Sequence, residues 1–160
     1  MNNIYIFLDV DGVLNTKADW KNMFSLRNEC ISSFNNYLTE LSAENDIKII
    51  LSSSWKKGFS YNGVHAAHIK KLIQSVHGNI IAKTKDFDMQ NRSKEINDFI
   101  IKHNLIDEKI IIIDDDKTLF LDSIIGNNVK FIYTDARTGF MEGKKQKSLK
   151  NLFKNFICGR

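Results

Sequence analysis

Proline is absent from this 160-residue chain and cysteine occurs only twice. With no proline there is no proline-rich linker to divide the chain. Cys30 and Cys158 are too few for a disulfide-stapled scaffold, and read as free thiols of a reducing cytosol. No apolar run approaches the ~18 residues of a membrane span. The first residues, Met1 to Asp9, carry no basic leader and reach an acid at once, so no secretory signal is expected. Cys158 stands third from the end, which does not fit a prenylation signal. These absences together predict a cytoplasmic protein with no membrane partner.

What is present is ordinary for a globular domain: 42% hydrophobic and 26% charged residues. The length suits a single domain over 1–160, able to bury about two thirds of its unfolded surface. Net charge is +4 but unevenly spread. Residues 137–160 hold seven basic side chains against the single acid Glu142. The rest of the chain is slightly acidic. A basic tail of this kind suits either a solvated helix face or a nucleic-acid partner.

Apolar runs rich in β-branched residues occur at 4–8, 47–51, 110–113 and 129–133, with a weaker one at 79–82. Continuous runs suit strands buried on both faces. Helical periods fall over 27–41, 64–77 and 93–103, and again in the tail through Leu149, Leu152, Phe153, Phe156 and Ile157. Strands alternating with helices predict an α/β fold, a three-layer α/β/α sandwich around a mostly parallel five-stranded sheet. The ligand site of such a sheet lies beyond the carboxyl ends of its strands.

Those ends are polar. The first run stops at Asp9-Val10-Asp11-Gly12, the second at Ser52-Ser53-Ser54, and the fourth at Asp114-Asp115-Asp116. In extended chain, Asp9 and Asp11 would point the same way. Gly12 permits a sharp turn after them. A lone Asp after a strand is commonly a turn or cap residue. Asp9, Asp11, Asp114 and Asp115 brought to one pocket are different, because carboxylates so close cannot all ionise unaided. A divalent cation removes the conflict. Hard oxygen ligands suit Mg²⁺, which keeps waters and substrate phosphate in its shell.

With these motifs the chain resembles the haloacid dehalogenase (HAD) superfamily of phosphohydrolases. IYIFLDVDGVLN matches its first motif, IKIILSSSW its second, the basic helix start in NRSKEINDFI its third and IIIIDDD its fourth. LDVDGVLN, LSSSW, the Arg92 to Ile96 stretch and TDARTGF are further similar to the small HAD domain of Swiss Army Knife RNA-repair proteins. The resemblance implies a Mg²⁺-dependent phosphomonoesterase. Asp9 would be the nucleophile and Asp11 the general acid/base, with its backbone carbonyl facing the metal. Ser52, or Ser53 one position on, would hold a phosphoryl oxygen beside Gly12. Arg92 or its rival Lys94 would neutralise phosphoryl charge. Asp9, Asp11, Asp114 and Asp115 would form the metal site, and Asp116 would cap the next helix.

Caps inserted into HAD folds choose substrates, and no interval here holds another domain. About 30 residues separate Asn15 from the second strand, and 37 separate Trp55 from Arg92. An uncapped or minimally capped enzyme is therefore expected. Its open site would admit large substrates such as nucleic-acid ends or phosphoproteins, and the substrate expected is a nucleotide or a nucleic-acid terminal phosphate. The loops with Trp20 and Phe24, and with Phe59 and Tyr61, would stack bases or be buried. A phosphotransferase of the same mechanism and a catalytically weak nucleic-acid or protein binding module remain as alternatives. A receiver domain is disfavoured, because only 44 residues follow Asp116. Lys56 and Lys57 read as a solvated pair, and His65 and His68 as a helix surface.

Overall fold

The computed structural model describes residues 2–60, 64–87 and 91–141. Five strands form one sheet: β1 (Asn2–Leu8), β2 (Asn45–Leu51), β3 (Asn79–Lys83), β4 (Lys109–Asp114) and β5 (Asn128–Tyr133). Their order is β3-β2-β1-β4-β5 and every neighbouring pair is parallel. Three helices intervene, α1 (Asn28–Ser42), α2 (Val64–Ser75) and α3 (Arg92–Lys102). This is the expected HAD-like α/β architecture, all parallel rather than mostly so. The expected tail helix, the basic residues from Lys144 onward, Cys158 and the loop residue Tyr61 lie outside the described residues.

The strand alternation divides the core into two. Ile4, Ile6 and Leu8 of β1 pack with Phe34, Leu38 and Leu41 of α1 and Ile69 and Leu72 of α2. Phe7 faces the other way, with Ile50, Ile110 and Ile112, onto Ile96, Phe99 and Ile100 of α3. The Phe7 and Phe99 rings meet edge to face at 5.6 Å. The sheet is therefore covered on both sides, which is why its strands are apolar runs and not alternating ones.

The chain runs outward from β1 through β2 to β3, then crosses back to β4 on the other side of β1. The winding reverses between β1 and β4, and at such a switch point ligands bind beyond the carboxyl ends of the strands. Hydrogen bonds extend the ladders past the strands and level their tips. Thr84 N–H donates to Leu51 O, Ser52 to Leu8, Asp9 to Ile113 and Thr134 to Asp114, at 2.9–3.0 Å. Residues far apart in sequence thus stand in one row.

Phe7→Ala is expected to cost about 3–5 kcal/mol in denaturant unfolding, because Phe7 is fully buried. Ile101→Ala on the outer face of α3, where Ile101 is 60% exposed, should stay within about 0.5 kcal/mol. Similar losses at both would contradict this packing.

Candidate active site

The row of strand tips brings three acids together. Asp9, Asp114 and Asp115 each place a carboxylate oxygen within 4.8 Å of the others. Asp9 and Asp114 are buried, and Asp115 is half-buried. Gly12 is required here twice over. Its φ of +76° disfavours any side chain, and a Cβ would stand 2.3 Å from Asp115 Oδ2. The Thr134 hydroxyl donates to Gly12 O at 2.7 Å and holds that turn against the end of β5.

Burial dominates the electrostatics. It is the main cause that raises Asp114 and Asp115 to about 7, with the charge on Asp9 second in both. Burial also raises Asp9, opposed chiefly by Arg92 and then by a hydrogen bond from Ser53. A hydrogen bond between the two carboxyl groups adds to the rise of Asp115 and opposes that of Asp9. Arg92 opens α3, and its Nη1 lies 3.0 Å from Asp114 Oδ2 and 3.4 Å from Asp9 Oδ1. Burial disfavours the guanidinium charge, but Asp9 and Asp114 outweigh that and hold it on.

These residues fit a divalent cation. The donors are all oxygen, the carboxylates converge, and the absent Cβ of Gly12 leaves Asp115 its place. Such a set suits Mg²⁺ over softer metals.

The other candidate residues are placed as follows. Ser52 is fully buried, and its hydroxyl has no hydrogen-bond partner among the described residues. Ser53 bonds Asp9 and accepts from Trp55 N–H at 3.3 Å. Lys94 is exposed, with its ammonium 4.9 Å above the Phe87 ring. Asp116 caps the short turn Lys117–Leu119 by accepting from Thr118 N–H. Asp11 is not a member of the acidic group. Extended chain stops at Leu8 and Asp11 opens a turn, so the strand alternation no longer applies. Its Oδ1 accepts from Asn15 Nδ2 at 2.8 Å and from Trp55 Nε1 at 3.1 Å.

The family model of the HAD domain in Swiss Army Knife RNA repair proteins matches residues 5–144. The chain belongs to that family. No curated protein matches it significantly, and no solved structure does.

Two features of this HAD domain escape a reading of its sequence. Lys56 is not solvated. Only 4% of its side chain is exposed, and its Nζ lies 2.5 Å from the buried Glu95 Oε2. Lys57 does face water, 3.6 Å from Asp86. The second feature is the role of TDARTGF, which braces the loop after β1. Beyond the Thr134 bond, Lys17 N–H donates to Ala136 O at 2.8 Å and Phe140 N–H to Val13 O at 2.7 Å. The Phe140 ring is buried against Phe34.

The raised acids make a stability prediction for the HAD domain without Mg²⁺. An acid whose folded pKa lies above its unfolded value binds more protons when folded. Its contribution is complete below about 4 and is lost as pH rises through about 7. Asp115→Asn should therefore raise Tm relative to the parent by an amount that grows from pH 5 to pH 8. The same variant should lose the stabilisation that Mg²⁺ gives the parent at pH 8. A difference independent of pH would show that the crowding is not felt.

Proposed function

We propose that this HAD domain is a Mg²⁺-dependent phosphomonoester hydrolase acting through an aspartyl-phosphate on Asp9. The carrying observation is the convergence of Asp9, Asp114 and Asp115 with Arg92 at the ends of β1 and β4. Mg²⁺ held by Asp9, Asp114 and Asp115 supplies charge neutralisation on the phosphoryl oxygens.

In the first step a carboxylate oxygen of Asp9 attacks phosphorus and the bond to the leaving oxygen breaks. Asp11 as the acid gives that oxygen its proton, and the alcohol departs. In the second step Asp11, now a carboxylate, takes a proton from water as the water attacks the same phosphorus. The bond to Asp9 breaks, and phosphate and the original carboxylate result. Asn15 and Trp55 both donate to Asp11 Oδ1 and hold the carboxylate in one orientation. Arg92, not Lys94, neutralises the phosphoryl oxygens, since only Arg92 lies against Asp9. The unpartnered hydroxyl of Ser52 is a ready donor to one such oxygen.

The substrate class is a nucleotide or a nucleic-acid terminal phosphate. The family's RNA-repair context supports this, as does the basic composition of 137–160. No inserted domain covers the site among the described residues.

Asp9→Asn should lower phosphate release by about 10⁴-fold or more with the fold intact, as for other nucleophile losses. Arg92→Ala should cost about 10²–10³-fold, the size expected for removing one charge-stabilising donor. EDTA should silence the enzyme and Mg²⁺ restore it, with Ca²⁺ a poor substitute. Turnover by Asp9→Asn at the parental rate would move the nucleophile elsewhere. An equal loss in Lys94→Ala would reassign the basic role.

A further inference from the structure

Beside Asp11 a cavity of about 190 Å³ is lined by Trp20, Met23, Phe24 and Trp55, and bounded by Asp11 and Asn15. We propose that it is a stacking subsite for the nucleobase of the leaving nucleoside, with Trp20 as its ring wall and Phe24, packed on His68 and Trp55, as part of its frame. The assignment rests on the reading above in one respect. Asp11 protonates the leaving oxygen, so a cavity bounded by Asp11 is placed for the group that oxygen carries.

Four observations support a flat, uncharged occupant. No Lys or Arg lines the cavity, so it is not built for a phosphate. It is smaller than the ~300–1,000 Å³ of whole-ligand pockets, and holds about one ring system. Trp20 is 43% exposed and Met23 75%, large apolar groups left facing water. Phe24 has a φ of +58°, a left-handed conformation uncommon for a bulky residue. That conformation seats its ring stacked on His68 at 4.6 Å and edge-on to Trp55 at 5.1 Å.

The rings are also indexed to the chemistry. Trp20 Nε1 donates to Asn15 Oδ1 at 3.0 Å, and Trp55 Nε1 donates to Asp11 itself. Asn15 in turn donates to Asp11 and accepts from Gly12 N–H at 2.9 Å. The stacking surface therefore sits at a fixed place relative to the proton donor. Asn22 and Ser54 add an amide and a hydroxyl to the lining. These can meet the polar edge of a base.

The test uses two independent readouts on the full chain. Trp20 and Trp55 are the only tryptophans and both line this cavity, so indole fluorescence reports on it, with ribose 5-phosphate as the control for an effect through Asp11 and Trp55. In EDTA, where no turnover intervenes, AMP should quench it saturably after absorbance correction and ribose 5-phosphate should not. With Mg²⁺, kcat/KM for AMP should exceed that for ribose 5-phosphate by about tenfold or more, the scale of one base–aromatic stack. Trp20→Ala should collapse that ratio. Trp20→Phe should keep most of it, because the ring remains and only the N–H to Asn15 is lost.

Absence of saturable quenching overturns the subsite whatever the turnover. An unchanged ratio in Trp20→Ala, or a kcat/KM for phenyl phosphate equal to that for AMP, overturns it too. The last result would assign the cavity to aryl esters instead. Saturable quenching by AMP with no ester hydrolysed would sink the proposed hydrolysis and leave the subsite standing.

Discussion

Three carboxylates share a space from which water is mostly excluded, and the rest of the site is arranged around that conflict. Burial alone favours the neutral acids. Arg92 cancels one negative charge by lying against Asp9 and Asp114. Two negative charges then remain if all three acids ionise, and a divalent ion is the charge that closes the balance. Without one, the raised pKa values of Asp114 and Asp115 let protonation relieve part of the repulsion. The fold serves this arrangement directly. Parallel register levels the tips of β1 and β4, Gly12 clears the place of Asp115, and α3 begins at Arg92.

The architecture was largely legible in the sequence because burial on both faces writes strands as unbroken apolar runs. All five runs became strands, and the helical periods over 27–41, 64–77 and 93–103 became α1, α2 and α3 to within a few residues. The acids at the tips were legible for the same reason, since a strand end is visible where the apolar run stops. Choosing between Arg92 and Lys94 needed the helix start. Two positions are about 200° apart around a helix, so one residue faces the sheet ends and the other faces away. The cap fixes which: Asn91 accepts from Lys94 N–H, and Arg92 becomes the first helical residue.

Other features were not legible because they depend on turns and on distant contacts. Alternation predicts Asp9 and Asp11 on one side only while the chain stays extended, and it turns at Asp11. In the short helical segment that begins at Ser54, Lys56 turns inward and Lys57 outward, and two adjacent lysines look alike in sequence. The brace from TDARTGF joins residues more than a hundred positions apart. Nothing local at Thr134 announces that its hydroxyl will hold Gly12.

The buried Lys56–Glu95 pair shows how the fold fixes the cation of the site. An ion pair in such a place is weak evidence for stability, since desolvating two charges offsets their attraction. Its position gives a better account. The Lys56 ammonium, on the segment after β2, also reaches Thr84 Oγ1 at 3.3 Å and Lys85 O at 3.4 Å, beyond the end of β3. Glu95 lies on α3, and its Oε2 is 3.9 Å from Arg92 Nε. One ammonium thus ties two strand-end loops to the helix that carries Arg92. The Arg92 guanidinium is held from behind by Glu95 and from the front by Asp9 and Asp114. Burial lowers the pKa of Lys56 while Glu95 raises it, so the ammonium's charge depends on Glu95 staying in place. In the proposed hydrolysis Arg92 meets a developing charge, and such a side chain gains from being held in advance, because no reorganisation is then left for the reaction to supply. On this argument the expense of burying Lys56 is a cost of keeping Arg92 aimed at Asp9, and the two ion pairs form one structure spanning the ends of β1, β2, β3 and β4.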